Sequence, residues 1–282
     1  MVGGKEQNTP NKVIIQKMLT EMKLRGFSNQ TYKTYIFHTE KYLDWYDSDP
    51  KDADIDGIKK YLAEQIDKEI SFKSVALIKS AILFLYNEVF KKAYKIKTPK
   101  ITKDIPVVMS KKEIKKVIEC EDNHRNKTII CLLYSTGLRL SEMINMKWDD
   151  LDLNDKIGWV REGKGKKDRM IILSKKAISY LDEWKRQNDK PNKYIFNGKT
   201  NDKISPRAVE YIVSNSALKA GLKKRIHVHT LRHSFATHLL ENNVDIRKIQ
   251  ELLGHSNLAT TQIYTSVSQS HLKAISSPMD EL

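Results

Sequence analysis

Between Lys91 and Val108 the chain reads KKAYKIKTPKITKDIPVV, a basic stretch with Pro99 and Pro106 and no helical periodicity. Proline lacks a backbone donor and biases the residue before it away from the helical region, so no regular element runs through here. The 282 residues are thereby divided into two parts, each long enough to bury a core of its own. We expect a first domain over residues 1–95, a linker over 96–109, a second domain over 110–268 and a tail over 269–282.

The first part is patterned for helices. Thr9-Pro10 is a cap followed by proline at the first helical position, and Gly26 closes that helix, with Ile14, Met18, Leu19 and Met22 on its apolar side. Ser28 opens a second helix whose Tyr32, Tyr35, Ile36, Tyr42, Leu43 and Tyr46 recur at helical spacing. That tyrosine stripe reads as core and boundary packing rather than as a base-stacking surface. Asp54 caps a third helix (Ile55, Ile58, Leu62, Ile66) and Ser71 a fourth (Leu77, Ile78, Ile82, Leu85, Val89), which together make a four-helix bundle.

In the second part Ser110 and Glu113 form a capping box, and a helix runs from there to about Cys120. Another spans about 127–135; Gly137 breaks it, and Leu140, Met143 and Ile144 begin the next. Arg139 thus sits at a helix start, where backbone N–H groups favour an anion. Ile157–Arg161 and Arg169–Leu173 alternate as two strands around a glycine-lysine tip, EGKGKKD. Helices follow at about 175–187 and 206–220, and 227–264 supplies three more. The fold class is mainly α, with a small β-hairpin or sheet in the second domain.

Fifty Lys and Arg against 35 Asp and Glu leave a net charge of +15, which favours a polyanionic partner, nucleic acid before membrane. Cys120 and Cys131 lie in apolar helical contexts without CxxC spacing, as in the core of a reduced, intracellular protein. The first residues carry no secretory pattern, and the longest apolar run, Ala81 to Tyr86, is far short of a membrane span. The expected location is the cytoplasm.

Residues 227–264 hold five of the eight histidines, with Arg232 three residues after His229 and Tyr264 at the end. A helical hairpin needs the leucines of this stretch but not His229, Arg232, His255 and Tyr264, so they are candidate site residues. Metal and nucleotide chemistry fit poorly. His233 and His238 are five apart without HExxH or an acidic cluster, and Gly163-Lys164-Gly165 completes neither GxxxxGK[ST] nor GxGxxG. Grouped carboxylates for a magnesium nuclease are also missing. No metal and no cofactor is expected, and His233 and His238 are read as scaffold.

TGLRLSE, GKGKKDR, HTLRHSFATHLL, LLGH and a tyrosine nine residues on resemble the tyrosine site-specific recombinases of the lambda-integrase family, the Xer-type group above all. The resemblance covers nearly the whole chain. It implies a helical core-binding domain joined to a catalytic domain, and duplex DNA cut and rejoined through a 3′-phosphotyrosine. It makes Arg139 and Arg232 the phosphate-gripping arginines, Lys164 the hairpin lysine, His229 and His255 the two histidines, Tyr264 the nucleophile and Glu142 the carboxylate supporting the first arginine. This set suits the chemistry. Planar guanidinium groups hold phosphate oxygens at two points, a tyrosine needs nearby positive charge or a base to attack, and the leaving 5′-oxygen needs an acid. His255 is the local candidate for the base or for orienting the phosphate, and Lys164 for the acid, with Lys166 and Lys167 as rivals.

The resemblance further implies a homotetramer on two DNA sites and a C-terminal tail, with Leu272, Ile275, Met279 and Leu282, that docks on a neighbouring protomer or folds back on its own domain. Helix 205–213 resembles the one this family lays in the major groove, where Arg207 would meet a guanine edge or a phosphate. An Xer-like role in resolving chromosome or plasmid dimers, tied to chromosome partition and cell division, is the expected use. An integrase of a mobile element, a relaxing topoisomerase and a DNA-binding regulator without catalysis are the alternatives.

Overall fold

The computed structural model describes residues 9–97, 106–161, 168–188, 193–198, 202–255 and 257–264. The chain forms two compact units, Met1–Lys103 and Asp104–Leu282. In the first, α1 (Thr9–Leu24), α2 (Asn29–Trp45), α3 (Ile55–Asp67) and α4 (Phe72–Phe84) form the expected bundle. Ser28, Asp54 and Ser71 each accept a backbone N–H of the helix they open, which is why the boundaries could be read from sequence. The tyrosines serve the core. Tyr42 and Tyr86 are fully buried, their hydroxyls 2.9 Å apart, and Tyr32, Tyr35 and Tyr46 pack against the same core. One π turn (Leu85–Val89) extends α4.

The basic stretch Lys91–Val108 is anchored at both its described ends. Tyr94 and Ile96 pack on the bundle core, and Tyr94 donates its hydroxyl to Ala53 O at 3.0 Å. At the other end Lys224 Nζ donates to Val108 O at 2.9 Å, and the buried Met109 donates its N–H to Ser234 Oγ at 2.9 Å. Periodicity could not show this, because the anchoring partners are remote in sequence.

The second unit is organised around α6 (His124–Thr136), in which Thr128 to Leu133 are all buried. A helix apolar on all sides belongs at the centre of a core. Around it pack α5 (Lys111–Glu119), α8 (Lys175–Gln187), α9 (Pro206–Lys219) and α10 (Val228–Glu241). The two expected strands, β2 (Ile157–Val160) and β3 (Arg169–Ile172), pair antiparallel with Trp159 opposite Met170. A third strand, β1 (Leu151–Asp152), adds to β2 and makes a sheet of order β1-β2-β3. Two residues are too few to show alternation, so β1 left no sequence signal. The remaining helices are α7 (Leu140–Asn145), α11 (Ile246–Leu253) and α12 (Ala259–Gln262). Among the described residues no helix is long and apolar enough to cross a membrane.

Gly137 ends α6 in the left-handed region at φ +62°, its N–H bonded to Leu133 O at 3.0 Å. This turn delivers Arg139 to the start of α7. A Cβ here would lie 2.4 Å from Phe235 Cδ1, so neither the backbone nor the space admits a side chain. Gly137→Ala should therefore cost about 2 kcal/mol or more of unfolding free energy in a denaturant titration.

A candidate active site built on three arginines

The helix α11 ends on Gly254, at φ +61°, in a Schellman turn. The N–H of His255 reaches Gln250 O at 3.1 Å, and that of Gly254 reaches Glu251 O at 3.0 Å. The next carbonyls would be left without partners, as at any helix end. Each takes an arginine. Arg169 Nε donates to Leu252 O at 2.9 Å, an Arg232 terminal nitrogen to Leu253 O at 2.6 Å, and an Arg139 terminal nitrogen to Gly254 O at 2.9 Å. Positive charge at the negative end of a helix is favourable in itself. Arg232 also donates to Gly137 O at 2.5 Å, tying α11 to the α6–α7 turn.

Glu142 binds two of these arginines. Its carboxylate accepts from Arg139 at 2.7 Å and from both terminal nitrogens of Arg169 at 2.8 and 2.7 Å, and it accepts the Arg139 backbone N–H at 2.8 Å. The backbone donor at the start of α7 is thus spent on Glu142. The side chains add further attraction for an anion, three guanidinium groups against one carboxylate. Burial opposes ionisation of Glu142, but the hydrogen bonds and charge of Arg169, reinforced by Arg139, more than offset it and hold the carboxyl at about 2. Burial lowers Arg232 to about 10, helped by Arg139.

Tyr264 follows α12 and is 2% exposed, in a small core with Ala236, Leu240, Ile249 and Leu253. Its hydroxyl lies 3.2 Å from His233 Nδ1. Burial raises the phenol above its ordinary value, while Arg232 and Arg139 pull it down. His255 stacks on the tyrosine ring at 6.3 Å between centroids, and its Nδ1 is paired with Thr261 Oγ1 at 2.9 Å. The His255 imidazole is lowered to about 4 by burial and then by Arg232 and Arg139. His229 is exposed, one turn along α10 from His233, with 6.4 Å between ring centroids.

Of the residues singled out from sequence, Arg139, Glu142, His229, Arg232, His255 and Tyr264 are therefore brought together by α7, α10, α11 and the turn after α12. Lys164 lies outside the described residues, as do Lys166, Lys167 and the tail from residue 265 onward. Arg207 is exposed in the first turn of α9. His238 is buried with Nδ1 on the Tyr134 hydroxyl at 2.9 Å, a scaffold role as expected.

Two residues were missed. His233, read as scaffold, is the hydrogen-bond partner of Tyr264; its position four residues after His229, on the same helical face, was the available signal. Sequence patterning marks Arg169 only as a strand residue. It is in phase with the buried Ile171 on β3, and an arginine on an inward face needs a buried partner.

The phage integrase family profile matches residues 107–271, and an N-terminal SAM-like domain of phage integrases matches 14–96. The chain is 38% identical over 269 residues to "Tyrosine recombinase XerA" of Pyrococcus horikoshii, covering 93% of this chain and 92% of that one. It is 34% identical to "Tyrosine recombinase XerD" of Staphylococcus epidermidis, over 92% of this chain and 96% of that one. Among solved structures it resembles XerH bound to a palindromic difH substrate in a post-cleavage complex. That match has a TM-score of 0.74 at 23% identity, over 96% of this chain and 89% of the other. The chain belongs to the phage integrase family, as an enzyme of the tyrosine recombinase class. Within that class it is most similar to the Xer-type recombinases.

The side chains of Arg169 and Glu142 are 9% and 4% exposed, so Arg169→Ala leaves a buried carboxylate short of its bidentate partner. A loss of about 3–5 kcal/mol is expected in chemical denaturation. The pH dependence has a definite sign. The folded carboxyl, at about 2, lies below its ordinary value of 4.5, so its stabilisation is present above 4.5 and lost as pH falls through 2. That contribution is about 3 kcal/mol. Glu142→Gln should flatten the stability-against-pH curve across that window.

Proposed function

We propose that this chain is a site-specific recombinase that cuts and rejoins duplex DNA at a defined recombination site through a covalent 3′-phosphotyrosine on Tyr264. One observation carries the reading: a phenol is held beside two charged arginines and a histidine cluster drawn from distant parts of the sequence. Arg139 and Arg232 have guanidinium donors beyond those spent on backbone carbonyls, to hold the nonbridging oxygens of the scissile phosphate. Glu142 keeps Arg139 oriented. The exposed His229 reaches the phosphate from the open side, and His255 orients Tyr264 and the phosphate from the other. Lys164, by resemblance, protonates the 5′-oxygen that leaves.

Attack of Tyr264 Oη forms an oxygen–phosphorus bond as the bond to the 5′-oxygen breaks. One phosphodiester-like bond replaces another, so religation needs neither nucleotide energy nor metal. Phosphoryl transfer of this kind rests on positioning and on stabilising charge in the transition state. The net charge of +15 suits a duplex partner, and the XerH and lambda integrase structures that this chain resembles hold their DNA sites. Arg207 at the start of α9 meets a base edge or phosphate. Work on two DNA sites as a homotetramer, in the cytoplasm and in resolving chromosome or plasmid dimers, follows from the similarity to Xer recombinases. The resemblance to the family supports a tail, 269–282, that docks on a neighbouring protomer, with folding back on its own domain as the alternative.

Incubation with a nicked duplex carrying the target site should trap a covalent protein–DNA adduct that Tyr264→Phe abolishes. Arg232→Ala should retain DNA binding and lose about 100-fold or more in adduct formation. Absence of any adduct with the unaltered chain on its mapped genomic site would favour a DNA-binding regulator instead.

A further inference from the structure

The proton on Tyr264 has to go somewhere as its oxygen attacks phosphorus, and the family-like histidines are poorly placed to take it. His255 Nδ1 is occupied by Thr261 Oγ1 at 2.9 Å, and its contact with Tyr264 is ring against ring, 20° from parallel. His229 makes ring contact with His233, not with Tyr264. The group on the hydroxyl is His233, whose Nδ1 lies 3.2 Å from Oη. That distance is within the reach expected of a general base before substrate tightens the site.

Resting on Tyr264 as the nucleophile, we infer that His233 is a further catalytic residue, the base that accepts the phenol proton through Nδ1. The step balances. The Oη–H bond breaks and its proton moves to His233 Nδ1; the Oη–phosphorus bond forms; the phosphorus–O5′ bond breaks; and the 5′-oxygen takes a proton from a separate acid, the hairpin lysine. In religation His233 returns its proton to Oη.

The surroundings set the protonation state this role requires. The role requires the neutral tautomer with its proton on Nε2, in which the Nδ1 lone pair accepts the Tyr264 hydroxyl hydrogen across the 3.2 Å contact. Around it stand His229 and Arg232 on α10, with His255 and Tyr264 from the segment after α11. Burial, then His229 and Arg232, lower the imidazole to about 4, so Nδ1 is unprotonated throughout the neutral range. A base this weak is unsuited to deprotonate a resting phenol. It serves once Arg139 and Arg232 hold a phosphate, whose negative charge stabilises the imidazolium as it forms.

The test uses the full chain and a nicked duplex with single-turnover adduct formation. His233→Asn keeps an acceptor near the Nδ1 position but cannot be protonated. It should bind DNA and melt like the unaltered protein, and form adduct about 100-fold more slowly at neutral pH. Its rate should climb with pH as solvent removes the proton, whereas the unaltered protein should be flat from weakly acidic pH upward. Replacing Tyr264 by a fluorinated tyrosine, whose phenol ionises more readily, should restore most of the loss in His233→Asn. Should the variant unfold, the fluorinated tyrosine in the otherwise unaltered chain decides alone: the acid limb stays in place with His233 as base and moves with the phenol with solvent as base. A His233→Asn rate near that of the unaltered protein, with the same pH profile, overturns the inference. It does so without touching Tyr264 as nucleophile, which the phenylalanine control tests separately.

Discussion

Three arginines from three distant segments converge on three consecutive backbone carbonyls at the end of one short helix. The rest of the second unit can be understood as what brings them there. The Schellman turn at Gly254 uses up the preceding carbonyls and leaves these oxygens pointing at β3, α10 and the α6–α7 turn. Gly254 has no side chain because one would meet Arg169, with its Cβ 2.9 Å from Cδ. Mutual repulsion among the guanidinium groups is moderated by Glu142, so the cluster is stable yet keeps a surplus of positive charge. That surplus partly offsets the burial that holds the Tyr264 phenol above its ordinary value.

Much of this is legible in the sequence. Local signals gave the boundaries: Ser110 and Glu113 close a real capping box, and Ser205 caps α9 with Pro206 behind it. Arg139, Glu142, Arg232, His255 and Tyr264 could be picked out because their types and spacing together match a known pattern. The pairing of Glu142 with Arg139 was legible, but pairing between distant segments was not. That Arg169 grips Glu142 across 27 positions, or that the Tyr264 hydroxyl meets His233 while His255 stacks on the ring, depends on the packing of separate elements. Short pieces escaped for the same reason. β1 exists because β2 offers it an edge, and the ends of the basic stretch are ordered by partners far along the chain.

The histidines show how position divides one residue type into different jobs. His238 and His233 share a helix and were both read as scaffold, but one turns to Tyr134 and the other to Tyr264. His229, a turn earlier than His233, is open to solvent. His255, outside the helix, is fixed through its backbone by Gln250, whose side-chain amide donates to His255 O at 2.9 Å. Neutral imidazoles in a field of arginines act as hydrogen-bonding groups rather than as charges, which keeps the positive potential on the guanidinium groups.

The acceptors that Leu252, Leu253 and Gly254 offer to the arginines belong to the main chain. Exchanging Leu252, which is only half-buried, for another helix-compatible residue would leave its carbonyl in place. Exchanging an arginine for lysine would remove the planar fork that reaches two groups at once. Mutational tolerance around this site is therefore uneven: Leu252 can drift in sequence without moving its carbonyl, whereas Gly254, which has no room for a side chain, and the arginines that give the hydrogen bonds cannot.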